Sequence, residues 1–368
     1  MYKRLIIITS FLVILAFLLI YKVVVASSQQ STLTSSTTTF AYVANNGSNT
    51  ITQYQSDRDG RLALLKKQIT TFNKPTEIVV SNSKRVYIIY RYVNHPDDSI
   101  ISVAQINPDG TLALIVNSDL PLSFELNSLS FSPNKKFAYA ISSPKDLILQ
   151  FHIEPNGELI PLENFLLHTA KSPISIAFSP SGKYVYVTSL TDDVISQYRV
   201  SSNGNLIALS TPTVPAGRLP AYLVISPVSK LLFVADKYQD ILTYRINSDG
   251  ELSPVSKYSL SSEKYEPDGM VVSPDGRFLY VINGKLETIL QFRVSNNGKI
   301  VPLDNPSVKA GVSPLQIAIS SNGFFAYAIN GSDNTISQFR ISPDGNLQPL
   351  SPASVPTGKS PWSIVLTK

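Results

Sequence analysis

The strongest constraint on this chain is a unit of about 47 residues that recurs seven times. An Asn-Gly or Asp-Gly pair, followed two residues later by Leu or Ile, occurs at Gly60, Gly110, Gly157, Gly204, Gly250, Gly298 and Gly345, with spacings of 46 to 50 residues. Each unit has the same internal order. The last reads SPLQIAIS from Ser313, SNG, FFAYAIN from Phe324, GSDN, TISQFRIS from Thr335, then PDG and NLQPL. The fourth aligns without gaps as SPISIAFS, PSG, KYVYVTS, LTDD, VISQYRVS, SNG and NLIAL. Short segments rich in Ile, Val, Tyr, Phe and Thr, jointed by X-Gly turns, are strand and hairpin signals. No stretch after residue 40 keeps a helical period. The predicted fold is therefore all-β: a seven-bladed β-propeller with four antiparallel strands per blade.

The ends of the repeat region predict how the ring closes. FAYVANN from Phe40 matches the second strand of a unit, and SPWSIVLTK from Ser360 matches a first strand. Blade 1 should thus be completed by the C-terminal strand, which leaves no unpaired edge. The domain reading is 1–26 as an export segment, 27–39 as a Ser/Thr-rich linker and 40–368 as the propeller.

The export reading rests on MYKR followed by an uncharged run from Leu5 to Tyr21, with Val24 and Ala26 ahead of Ser27. A basic start, an apolar core and small residues at a cleavage position describe a signal peptide, and the run is also near the short limit of a membrane span. The expected location is outside the cytoplasm: periplasmic, extracellular or held by residues 5–21 if these are not removed. The spacer, SSQQSTLTSSTTT, is uncharged and flexible in composition. The chain has 31 Lys and Arg against 26 Asp and Glu, but Lys3, Arg4 and Lys22 belong to the export segment. What remains is nearly neutral, so no nucleic-acid surface is expected. With no Cys, thiolate zinc sites, cysteine nucleophiles and disulfide frameworks are excluded.

Recurring side chains are expected to serve the ring. Tyr42, Tyr87, Tyr139, Tyr186, Tyr280 and Tyr327 of the second strand, and the aromatic at one fixed place in the third (Tyr54, Phe151, Tyr198, Tyr244, Phe292, Phe339), are expected between blades. Arg199, Arg245, Arg293 and Arg340 recur with the blade and are expected to be solvated or to tether loops.

FAYVANNGSNTITQY, KYVYVTSLTDDVISQYRV and SPDGRFLYVINGKLETILQF resemble the YVTN-type propeller repeat. The [ND]-G-x-L that follows is similar to that of the lactonase-type seven-bladed propellers, the group containing bacterial 6-phosphogluconolactonase and fungal muconate-lactonising enzymes. The resemblance spans residues 40–368 and implies the fold and a lactone-hydrolysing alternative. The family's P-H and D-L-G-x-D signals are largely absent. Thr76, Ile174, Ala221, Asp268, Leu315 and Trp362 follow the inner-strand prolines, and only ADKYQD, with Asp236 and Asp240, approaches the second motif. His95, His152 and His168 fall elsewhere.

In a propeller the heads of the inner strands and the loops between second and third strands converge on one face. That places Glu77, Asp236, Asp268, Arg91 and Arg218 as candidate catalytic groups, for water activation and for holding a sugar-acid carboxylate. Asn127, Tyr222, Asn283, Gln316 and Trp362 are the candidate ligand-binding groups. Lys74, His95, Lys171, Asp193, Lys237, Glu266 and Lys359 share the face. The first functional expectation is an exported binding module whose central face takes a protein, peptide or glycan. The alternative is a sugar lactonase of the 6-phosphogluconolactonase type. No resident metal or cofactor is expected, although Glu77, Asn127, Asn283 and Asp268 carry the oxygens that a Ca²⁺ in the central channel would use. The chain is expected to be a monomer.

Overall fold

Blade 4 shows how the repeat becomes structure. Its strands Pro173–Phe178, Tyr184–Ser189, Val194–Val200 and Leu206–Pro215 pair antiparallel in sequence order. The second strand, YVYVTS, is buried at five of six positions, as an uninterrupted apolar run requires when neighbouring sheets cover both of its faces. The outer strand lies mostly in solvent, and its Ser, Thr and Pro content reflects that.

The computed structural model describes residues 38–367 apart from 66–67, 72, 83, 93, 96, 116–118, 239 and 261–264. The expected export segment and residues 27–37 of the spacer lie outside the described residues. Seven such sheets form the ring. Blade 1 is closed as its sequence foretells: Pro361–Leu366 pairs with Phe40–Asn45, with Ala41 opposite Leu366 and Val43 opposite Ile364. The seam is tied further where the Phe40 N–H donates to Thr367 Oγ1 at 2.9 Å. In blades 1 and 2 the outer strand is split into two short pieces, Leu62–Leu64 with Ile69–Thr70 and Leu112–Leu114 with Leu120–Leu122.

The repeated side chains hold blade to blade. The second-strand tyrosines Tyr42, Tyr87, Tyr139, Tyr186, Tyr280 and Tyr327 donate their hydroxyls to the carbonyls of Gly110, Gly157, Gly204, Gly250, Gly345 and Gly60 in the following blade, at 2.5–2.7 Å. Blade 5 has Phe233 at this position, and there Ser256 Oγ donates to Gly298 O at 3.2 Å instead. The turn glycine is required at both ends of this contact. Gly204 has φ +91°, and a Cβ on it would lie 2.3 Å from the Phe137 ring of the preceding blade.

Third-strand glutamines make a second tie. Gln53, Gln150, Gln197, Gln291 and Gln338 accept from the first outer-strand N–H of the next blade at 2.6–2.8 Å. Three of the four arginines tether loops: Arg245, Arg293 and Arg340 donate to the turn carbonyls of Asn297, Asp344 and Asp59.

Candidate functional site

The two mouths of the channel differ in character. At the far ends of the inner strands, a cavity of about 590 Å³ is lined by Phe178, Leu223, Ile225, Val271, Ile319 and Leu366 among others, an apolar set with little to orient a substrate. The opposite mouth, where the inner strands begin at their prolines, carries the charged groups. There the candidate residues fall into two groups.

The first lies where blades 5 and 6 meet. Asp236 ends the second strand of blade 5, Leu231–Asp236. Its Oδ1 accepts the N–H groups of Tyr238 and Asp240 at 2.9 Å each, and its Oδ2 accepts that of Arg218 at 3.0 Å. Burial pushes its carboxyl above the usual range. Asn283 and Asn330, at the matching strand ends, use Oδ1 in the same way on the N–H groups of Glu266 and Gly311. Asp236 is thus a corner tie that shapes the loop holding Lys237 and Tyr238. The guanidinium of Arg218 stacks on the Tyr238 ring at 3.9 Å, and both side chains are exposed.

Asp268, the second residue of the inner strand Pro267–Val272, is half-buried. Desolvation, followed by the charge of Glu266, raises its pKa to about 6, and Lys237 opposes the shift. The close approach of the chain at Gly284 accommodates this carboxyl, since any side chain there would meet Asp268 Oδ2. Tyr222, from the inner strand of blade 5, feels the Asp268 charge, and burial is the larger cause of its raised pKa. Tyr265, in the connection just ahead of Pro267–Val272, is buried, and its hydroxyl has no hydrogen-bond partner among the described residues.

The second group lies between blades 2 and 3. Glu77 Oε1 accepts from Ser128 Oγ at 3.2 Å, the Leu129 N–H also donates to this carboxyl, and Oε2 is buried without a partner. Matching inner-strand positions make the same reach into the next blade. The Ile78 N–H donates to Ser363 Oγ at 3.3 Å, that of Leu223 to Ser175 Oγ at 3.3 Å, and that of Ile364 to Gln316 Oε1 at 2.6 Å. Glu77 and Gln316 therefore join inner strands. Arg91 pairs with Glu125. Asn127 Oδ1 accepts the Ser143 N–H at 2.7 Å. Trp362, by contrast, is 54% exposed.

Among the described residues no three Asp, Glu or His side chains gather as a metal would need. Of the four oxygens named as candidate calcium ligands, the Oδ1 atoms of Asn127 and Asn283 each accept one backbone N–H. Sequence reasoning missed Glu125 and Tyr265. Both stand just ahead of an inner strand, at places where the residue type changes from unit to unit, so the repeat gives no signal for them.

Seven four-stranded antiparallel blades arranged in a ring define a seven-bladed β-propeller. The chain belongs to the family described as lactonase, 7-bladed β-propeller, whose model matches residues 20–305 and 172–366. No curated protein sequence matches it. Among solved structures it is similar to a Bacteroides fragilis protein put forward as a 6-phosphogluconolactonase, with TM-score 0.78 and 18% identity over 91% of this chain and 99% of that one. It is similar to a Pseudomonas aeruginosa protein named periplasmic gluconolactonase, with TM-score 0.78 and 20% identity over 90% and 99%. Hydrazine synthase of Kuenenia stuttgartiensis shares the architecture at TM-score 0.60 and 15% identity over 81% and 94%, so the fold alone does not specify a chemistry.

Proposed function

We propose that the chain hydrolyses a sugar lactone at the loop-rich mouth, at the junction of blades 5 and 6. The observation that carries this reading is Asp268: a half-buried carboxyl at the head of an inner strand, with a pKa raised to about 6, beside Lys237. A carboxylate of that basicity is ionised at neutral pH and still able to take a proton. In the reaction Asp268 removes a proton from water as the water oxygen bonds to the lactone carbonyl carbon. The ring C–O bond then breaks, and the ring oxygen leaves as a hydroxyl after taking a proton back. Arg218, held flat on Tyr238, and Lys237 supply positive charge for the carboxylate of the hydroxy-acid product.

Family membership supports this reading over a pure binding module, and it does not need the family's histidine. The basic and apolar start of the chain supports export. An exported enzyme meets lactones without a phosphate, and the Pseudomonas aeruginosa neighbour carries the name of such an activity. Acid release from glucono-1,5-lactone by the full chain, measured above the spontaneous rate, is the test. Turnover should rise with pH through about 6 as Asp268 ionises, and Asp268→Asn should lower it by roughly 10²-fold or more. No rate above background would reject the reading and leave the face as a surface for a protein, peptide or glycan.

A further inference from the structure

Trp362 is the only tryptophan of the chain and its most exposed aromatic residue among those described, at 54%. Most strand aromatics of this molecule pack between blades, whereas Trp362 stands at the head of the inner strand Pro361–Leu366. It occupies the register position that Asp268 holds in blade 6, immediately after the strand's first proline. It therefore faces the same mouth. Tyr238, the other exposed aromatic on this face, has one ring face covered by Arg218. No aromatic ring or guanidinium among the described residues stacks on Trp362.

The backbone beneath it is fixed from both sides. The Ser360 N–H donates to Asn334 Oδ1 of blade 7 at 2.7 Å, while the N–H groups of Asn46 and Gly47 in blade 1 donate to the carbonyls of Ser360 and Lys359. The strand is then joined to both neighbours through Gln316 and through Ser363. A large planar apolar group held on a rigid strand at the rim of a polar mouth is a preorganised surface, because ordering it on binding costs little. Its electron-rich face attracts the polarised C–H bonds along one side of a pyranose ring. Lys359, three residues before it, and Lys74, at the head of the inner strand of the next blade, are both exposed and add charge that suits a sugar acid.

We propose that Trp362 is the platform on which the sugar ring of the substrate stacks, a binding subsite distinct from the Asp268 group that performs the chemistry. This deepens the lactonase reading and rests on it for the substrate class. The lone tryptophan makes the test direct in the full-length protein. Gluconate, the stable ring-opened product, and a non-hydrolysable pyranose such as methyl glucoside serve as probes of Trp362 emission and of its quenching by acrylamide. Saturable emission change with protection from acrylamide by either probe is expected. Trp362→Ala should raise the KM for glucono-1,5-lactone about tenfold with kcat little changed, the size expected for losing one stacking contact of roughly 1–1.5 kcal/mol, and Trp362→Phe should recover part of it. Unchanged emission and quenching at saturating lactone turnover, with an unchanged KM in Trp362→Ala, would overturn the subsite while leaving the lactonase reading intact. Protection by sugar in a protein without turnover would uphold the subsite and reject the hydrolase.

Discussion

Glu77 carries a carboxyl that the rest of the protein has made hard to ionise. Its Oε2 is buried and unpartnered, and desolvation outweighs the hydrogen bonds from Ser128 and Leu129 to raise its pKa from 4.5 to about 8. Because the folded-state value is raised, the native state holds a proton that the unfolded chain releases between these two values. Stability from this group is greatest below about 4.5, falls as pH rises toward 8 at up to roughly 1.4 kcal/mol per unit, and is level above that. Glu77→Gln keeps an oxygen for Ser128 and Leu129 and removes the titration. In thermal melts the variant should match the wild type at acid pH and exceed it above pH 8. A variant less stable at every pH would contradict the assigned cause. The sequence marks Glu77 as a polar group on a ring of inner strands, but it does not tell whether the carboxyl points to the channel or to the next blade. That depends on the offset between adjacent sheets, which no single unit encodes.

At the scale of the element, the blade-to-blade ties are legible because they repeat. A tyrosine at a fixed place in the second strand and an Asn-Gly or Asp-Gly turn between the third and fourth strands of the next blade must meet wherever one blade follows another. Single-copy features are not legible in this way. Ser256 replaces the missing tyrosine hydroxyl only because Phe233 leaves the Gly298 carbonyl without one, and the ion pair of Glu125 with Arg91 has no copy at the matching place of another blade among the described residues. The candidate site is built largely from such features, which is why its residues could be named from sequence but not grouped. The ties also differ in strength. Tyr186→Phe strips a buried carbonyl at Gly250 of its partner and should cost about 1–3 kcal/mol in denaturant unfolding. Ser256→Ala, which removes a longer and less buried bond, should cost about 1 kcal/mol or less. Equal costs would mean that the tyrosine ring, and not its hydroxyl, does the holding.

For the whole molecule the seam in blade 1 decides cooperativity. Removing residues 360–368 deletes the strand opposite Phe40–Asn45, and with it the acceptor at Ser363 and the donor at Ile364 that join blades 2 and 7. The truncated chain should lose its single sharp melting transition and gain an aggregation-prone edge. A melt unchanged in midpoint and width would show that the ring does not depend on its closure. The same seam sets an order of events during synthesis. Phe40–Asn45 emerges from the ribosome before every other strand of the ring and Pro361–Leu366 after them, so blade 1 stays incomplete while six other blades can already assemble. Until Pro361–Leu366 is made, one strand of this protein waits for a neighbour that does not yet exist.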